Sequence, residues 1–301
     1  WWVVDGNGDY AVVDFTYNRP RPSDNQAPSK VATHLNVPYY SADLVATGGN
    51  YMTDGFGISA AAHIAYTEND ECNTNNQSGI PLPPCAYVDN IMDDYYGIDT
   101  FHVVADPNDE YIDHIDCWGK FLSPTKILIR SVPVSHDQYS MIEEVADYFE
   151  SQVTSEGLPW EVFRVYTPSD QPYTNSLILN NKVFVPIMNS SWDDDAIEIY
   201  QEALPNHEIL GFTSSGGSSW QSTDALHCRV KGIPDITYVP YESGDVNLDE
   251  TINIQDVILV INHILGLLDF DNNQLSLADL NNDSSINIQD VILLVNIILD
   301  N

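Results

Sequence analysis

The chain has 301 residues, 43% of them hydrophobic and 11% aromatic, which is enough apolar material for one large or two smaller cored domains. Its 45 Asp and Glu against ten Lys and Arg give a formal charge of −35, which repels nucleic acid and anionic membrane surfaces and favours cationic ligands and calcium. No apolar run approaches the roughly 18 residues needed to span a bilayer, so membrane insertion is not expected either.

The chain begins "WWVVDG", with neither an initiator Met nor the basic and apolar regions of a signal peptide, and a start further upstream is expected. "WWVVDGNGDYAVVDF" reads as two strands about an Asp-Gly-Asn-Gly turn. Cys72 and Cys85 flank the turn-rich "NTNNQSGIPLPP" and are either a disulfide, which fits an oxidising compartment, or two loop thiols. None of the four cysteines has the CxxC spacing of a zinc site. In "YIDHIDCW", read as extended chain, His114 and Asp116 share a face while Asp113 and Cys117 take the other. Alone, such a His-x-Asp pair is an ordinary surface ion pair.

Ile142, Val145, Ala146 and Phe149 have helical spacing with acids on the opposite face, and Ala196, Ile199, Tyr200 and Ala203 repeat it. Asp193 to Asp195 stand where a helix N-terminus favours negative charge. "SLILNNKVFVPI" is a hairpin turning at Asn180 and Asn181. With "KILIRSV", "EVFRVYT" and "EILGFT" as further strands, the rhythm predicts an α/β body of repeated units. Cys228 follows a Ser- and Gly-rich loop, "TSSGGSSWQS", of a kind that lets backbone approach a ligand.

All ten basic residues fall at or before Lys231, which predicts a boundary near 240 between domains at 1–240 and 241–301. In the second, "DVNLDETINIQD" sets oxygen-bearing side chains at loop positions 1, 3, 5, 7, 9 and 12: Asp245, Asn247, Asp249, Thr251, Asn253 and Asp256. "DLNNDSSINIQD" repeats the layout with Asp279, Asn281, Asp283, Ser285, Asn287 and Asp290. Calcium takes six to eight hard oxygens, and a twelve-residue loop can wrap such a set around one ion. Each loop leads into an apolar helix, from Val257 and from Val291, and the two helices are expected to bury each other. Position 6 is Glu250 or Ser284 where an EF-hand has Gly, and position 12 is Asp where it has Glu. The segment from Gly244 onward resembles a type I dockerin, a small all-α module. The resemblance implies two Ca2+ ions, a cohesin domain as partner, and a secreted bacterial protein, extracellular or attached at the cell surface.

The body carries "YNRPRPSDN", "TGGNYMTDG", "DEYIDHIDCW", "YTNSLILNNKVFVPI" and "STDALHCRVKGIPD" in this order. Together they resemble the bacterial, Porphyromonas-type peptidylarginine deiminases of the agmatine deiminase superfamily over nearly all of residues 1–240. The resemblance implies a pentein fold, a five-fold β/α propeller of ββαβ units, with the first unit incomplete here. It implies Cys228 as nucleophile, His114 as general acid and base, and Asp116 as the carboxylate that grips guanidinium. Tyr111 and Asn175 would line the site, and Arg19 and Arg21 would hold the carboxylate of a C-terminal arginine. A second guanidinium-binding aspartate would lie just upstream of Trp1, so activity of these 301 residues alone is in question. Planar guanidinium suits a two-oxygen grip, and a thiolate beside a cation can attack its carbon. No cofactor is expected for catalysis. The substrate is an arginine-containing peptide or, as the alternative, agmatine. A cysteine protease using Cys228, His114 and Asp116, and an inactive calcium-dependent scaffold subunit, are the readings from other classes.

Overall fold

In the computed structural model the first hairpin sets the pattern for the body. Strands β1 (Trp2–Val4) and β2 (Tyr10–Tyr17) pair antiparallel, with Trp2 opposite Val12, and Gly8 in the connecting turn has φ +87°. Helix α1 (Ala27–Leu35), closed by Asn36 at φ 56°, then returns the chain so that β3 (Tyr39–Ala46) lies parallel to β2. This is one ββαβ unit. The strands β4 (Met52–Thr53), β5 (Ile58–Ala62) and β6 (Thr100–Val104) form the second, with the short α2 (Ile64–Thr67) and then α3 (Ala86–Tyr96) between β5 and β6. The third joins β7 (Gly119–Ser123), β8 (Lys126–Ser131), α4 (Tyr139–Glu150) and β9 (Glu161–Tyr166). The fourth joins β10 (Leu177–Leu179), β11 (Lys182–Pro186), α5 (Asp193–Ala203) and β12 (Glu208–Phe212).

Each sheet therefore has three strands, an antiparallel hairpin plus a strand returned parallel by a helix. The unit opened by Trp2–Val4, expected to be incomplete, has all three strands; four whole units are described, and a five-fold closure would need one more.

The structure describes residues 1–72, 79–214, 219–236, 243–249, 251–270, 272–281, 283 and 285–300. The expected boundary near 240, the centre of the glycine-rich loop before Cys228, and Glu250 and Ser284 at loop position 6 lie outside these residues. The chain divides into two compact units, Trp1–Pro234 and Asp235–Asn301.

In the first unit, Ile142, Val145, Ala146 and Phe149 of α4 pack on Ile127 and Ile129 of β8, and Ala196, Tyr200 and Ala203 of α5 pack against Val183 and Val185 of β11. Helical and alternating periodicities thus meet in the layers they predicted. Asp193, the first residue of α5, ties the preceding loop to the helix, its carboxylate accepting from the Met188 and Ser190 N–H groups and from Tyr173 Oη. Asn180 turns its hairpin at φ 52°. Cys72 and Cys85 are joined as a disulfide. Arg130, buried on β8, reaches Asn108, Thr167 and Asp170 and so ties the loops that lead to the site.

The second unit is all-α: α6 (Ile254–Ile264), α7 (Asn272–Ala278) and α8 (Ile288–Asp300). Val257 and Val260 of α6 meet Val291 and Leu294 of α8, with Val246, Phe270 and Ala278 completing the core. The helices begin three residues earlier than the apolar runs suggest, because Asn253 N-caps α6 and Asp256 completes a capping box. Among the described residues no helix is long and apolar enough to cross a membrane.

Candidate active site

Four separate segments converge on Asp116, which is only 2% exposed. The first is the 3-10 turn Gly48–Asn50. Asn50, buried, accepts the N–H groups of Ala62 and Ile115 on its Oδ1, at 2.8 and 3.1 Å, and so clamps the end of β5 to the His114 segment. Gly49 lies directly against the pair: a Cβ there would stand 2.5 Å from His114 Nδ1 and 2.9 Å from Asp116 Oδ2.

The second segment corrects the extended reading of "YIDHIDCW". His114 is extended, but Ile115–Cys117 forms a 3-10 turn. His114 Nδ1 still comes within 3.9 Å of Asp116 Oδ1, while Cys117 Sγ lies 3.7 Å from that same oxygen rather than on an opposite face. Asp113 turns away to His63, at 3.7 Å.

The third segment supplies Thr174, whose hydroxyl donates to the Asp116 carbonyl at 3.0 Å, and the wholly buried Asn175. The fourth is the short turn His227–Arg229. Cys228 Sγ is 3.4 Å from Asp116 Oδ2 and receives the Asn175 amide at 3.2 Å, while Asn175 Oδ1 accepts the Cys228 N–H at 3.3 Å. His227 Nδ1 bonds the same Asp116 Oδ2 at 2.8 Å. Cys228 and His114 thus flank one carboxylate and share no hydrogen bond with each other.

Both ring nitrogens of buried His114 lack a partner among the described residues, an arrangement that costs stability and marks a group awaiting one. Burial lowers the His114 pKa; nearby Asp116 opposes this, and the charges of Arg19 and His227 add to it. The Cys228 thiol is pushed up to about 12, first by desolvation around its sulfur, although the residue as a whole is exposed, and then by the Asp116 carboxylate. Desolvation thus favours the neutral thiol and the neutral imidazole beside the buried carboxylate, and a cation brought next to the sulfur would favour the thiolate.

The other expected residues divide. Arg19 is half-buried, its charge is felt by His114, and it makes no ion pair among the described residues. Arg21 is not drawn into the site: its side chain is 66% exposed and faces Asp24 at 3.8 Å. Tyr111, 82% exposed, does not line the site either. His227 escaped sequence reasoning although it adjoins Cys228, because adjacency does not show which way a turn aims a ring.

A family model described as Porphyromonas-type peptidyl-arginine deiminase matches residues 2–234. The chain belongs to this family. Residues 243–299 match the type I dockerin model, so the C-terminal unit is a dockerin. A Shewanella baltica protein named as an agmatine deiminase is 23% identical over 278 residues, 77% of this chain and 70% of its own. One from Mycoplasma mycoides is 25% identical, covering 69% of this chain and 65% of its own. The structure of the Enterococcus faecalis agmatine deiminase matches with a TM-score of 0.60 at 18% identity, over 70% of this chain and 66% of its own. A Porphyromonas gingivalis structure named as an arginine deiminase gives 0.59 at 19%, over 74% and 70%. The chain spans about two thirds of the length of these relatives. At such identities the structures establish the fold, and the deiminase body is a pentein built of ββαβ units.

The dockerin loops repeat bond for bond. Asp256 Oδ1 accepts from Val246 and Asn247 N–H and its Oδ2 from Asn253 N–H; Asp290 does the same with Leu280, Asn281 and Asn287. Asp249 N–H reaches Asp245 and Asn247, Thr251 N–H reaches Asp249, and Asp283, Asp279, Asn281 and Ser285 copy this. These carboxylates are turned onto backbone N–H groups, and among the described residues no three acidic, His or Cys side chains are gathered as a metal cluster. The donor set nonetheless fits a hard cation. Asp245, Asp256 and Asp290 are buried in a unit without a single Lys or Arg, and buried carboxylates call for a counter-charge.

Proposed function

We propose that this protein hydrolyses the guanidinium of C-terminal arginine in peptides, yielding peptidylcitrulline and ammonia. The observation that carries the reading is the convergence of Cys228, Asn175, His227 and His114 on buried Asp116. A guanidinium held by Asp116 brings its own positive charge to Cys228, which offsets the two causes that raise the thiol and favours proton loss. The thiolate adds to the guanidinium carbon. The proton that Cys228 loses is relayed through solvent to His114, whose ring nitrogens have no other hydrogen-bond partner among the described residues, and His114 then passes it to the departing nitrogen as ammonia leaves and a thiouronium forms. It next takes a proton from water as that water attacks the same carbon, and the C–S bond breaks to release the ureido product. Asn175 steadies the sulfur. No cofactor is proposed for this chemistry.

Agmatine is the second reading, favoured by the withdrawal of Arg21 toward Asp24; Arg19 remains placed to steer an anionic substrate. For the dockerin we propose two Ca2+ ions, one held by Asp245, Asn247, Asp249, Thr251 and Asp256 and one by Asp279, Asn281, Asp283, Ser285 and Asp290, together with attachment to a cohesin. This fits a secreted protein held outside the cell. The body and the dockerin are proposed to meet near residue 240.

The test is turnover by the full-length protein of a peptide ending in arginine, read as citrulline and ammonia together. Cys228→Ala is expected to abolish both. A higher kcat/KM on agmatine would reject the peptide assignment, and turnover of neither substrate would reject deimination in favour of an inactive scaffold subunit.

A further inference from the structure

The outer edge of β6 is only partly covered. Residues along this strand alternate between its two neighbours: Thr100 N–H donates to the Gly57 C=O on the β5 side, whereas the Val103 C=O accepts Leu82 N–H and Ala105 N–H donates to the Gly79 C=O on the far side. Phe101, two residues before Val103, therefore also turns its N–H and C=O to the far side. Neither has a partner among the described residues. An open stretch of strand edge is a template for another chain. The outer strand of the first unit is closed against this, since Asn69 bonds both the N–H and the C=O of Val45, and Tyr87 bonds the Asp43 C=O.

The open stretch lies in a groove. A cavity of about 510 Å³ is lined by residues 100–103 together with side chains of α3, the end of α4 and the 81–84 segment. A second, of about 240 Å³, shares Asp99, Thr100, His102 and Gln152 with it. The two sides of the groove differ. Phe101 meets Tyr66 edge-on, and Tyr66 donates to Asp89 of α3, so this side carries Asp89 and Asp93. His102 turns the other way, to Tyr148 and Phe149 of α4, and the exposed Phe56 and Val153 line the cavity that His102 shares.

The groove is acidic. Asp89, Asp93 and Asp99 line it, with no Lys or Arg among the described lining residues. Desolvation raises the Asp89 pKa, a cost that a neighbouring cation would relieve. His102 is 5% exposed with its Nε2 unpartnered, and burial lowers it to about 4, so the ring adds no positive charge at neutral pH.

We propose that the β6 edge takes up an extended segment of a partner protein as an added strand, with Lys or Arg at alternate positions facing Asp89 and Asp93 and apolar side chains between them facing Tyr148, Phe56 and Val153. Main-chain bonds to Phe101 supply affinity, and the two unlike sides select the side-chain pattern. The acidity of the groove argues against a second copy of this chain, which has ten Lys and Arg against 45 Asp and Glu. The groove is also separate from the deiminase chemistry. β5 and β6 run parallel, and it is the opposite end of β5, at Ala62, that Asn50 clamps to the His114 segment.

The experiment is titration of the full-length protein, at physiological ionic strength, with a short capped peptide of alternating valine and lysine, which carries no arginine for the deiminase site. The same peptide N-methylated throughout its backbone keeps every charge but cannot pair as a strand, and should bind at least about tenfold more weakly. A version with glutamate for lysine should not bind. Asp89→Asn with Asp93→Asn should weaken the lysine peptide about tenfold, and Asp93→Asn alone, which leaves the Tyr66 bond intact, about threefold. Asp194→Asn, exposed on α5, should stay within about twofold of the parent. Exchange of the Phe101 amide with solvent should slow about tenfold in the complex. Equal binding of the methylated peptide, or unchanged exchange at Phe101, would reduce the contact to charge attraction and overturn the added strand. Equal binding of the glutamate peptide would overturn the basic partner, and no binding of the lysine peptide would overturn the site. Protein dimers that the peptide dissolves would seat a second copy on β6, which also overturns the proposal.

Discussion

Gly49 shows how closely the site is built. Its backbone has no left-handed φ to demand glycine; the demand comes from space, because His114 and Asp116 occupy the position where a Cβ would stand. The neighbours cannot retreat easily. Asp116 is pinned through Oδ2 by His227 and through its carbonyl by Thr174, and the His114 segment is clamped by Asn50. Gly49→Ala is therefore expected to displace the imidazole or the carboxylate by several tenths of an ångström and to lower kcat/KM by roughly a hundredfold. Thermal stability should change far less. Gly6→Ala, where a Cβ meets nothing within 4 Å, is the matched control. Steady-state kinetics on the arginine-ended peptide decides it, and an active Gly49→Ala enzyme would mean that these distances do not govern catalysis.

At the scale of elements, the segment between β6 and β7 carries buried charge whose effect on stability depends on pH. Burial raises Asp106 to about 7, Glu110 N–H and the Trp118 indole oppose this, and the nearby acids Asp113 and Glu110 add to it. A carboxyl whose folded value lies above its unfolded one stabilises fully below about 3.8, and that contribution is lost as pH rises through about 7. Buried His102, lowered to about 4, acts in the opposite sense: its contribution is present above about 6.5 and is lost as pH falls toward 4. The two oppose one another in mildly acidic solution. Asp106→Asn removes one of them, so its stability advantage over the parent should grow between pH 4 and 7 and then level off, by at most about 4 kcal/mol. Urea unfolding of the deiminase unit at a series of pH values measures this; a difference independent of pH would show that Asp106 is ionised in the folded protein. These elements also show what the sequence makes legible. The stripe Ile142, Val145, Ala146 and Phe149 and the repeated "INIQDVIL" are local patterns, and helices appear where they lie. Cys228, His114, Asp116 and Asn175 were reachable through the order of motifs, and they do converge. His227 was not, because its bond to Asp116 joins the turn at 227–229 to the His114 segment over a sequence separation no periodicity encodes. Arg21 and Tyr111 failed for the converse reason: motif order says nothing about which side chains stay exposed.

Over the whole molecule, charge and tryptophan are both distributed unevenly, which makes the role of calcium separable. All six tryptophans lie at or before Trp220, and the last seventy residues hold no Lys or Arg. The dockerin core, from Val246 to Leu294, is its own cluster, and buried Asp256 and Asp290 lie in a unit whose sequence holds no Lys or Arg. A bound divalent cation, as proposed for these loops, would supply positive charge there, and its binding energy would add to the stability of that unit. Chelation of the full-length protein should therefore lower far-UV helical signal while tryptophan fluorescence, confined to the deiminase body, stays constant. Calorimetric titration of the chelated protein should recover two Ca2+ ions, and Asp256→Asn or Asp290→Asn should each remove one. Fluorescence that followed the helical loss would show that the body depends on calcium too. Absence of heat on adding calcium would mean that the backbone N–H groups now held by Asp256 and Asp290 are their lasting partners, and that these loops are closed without metal.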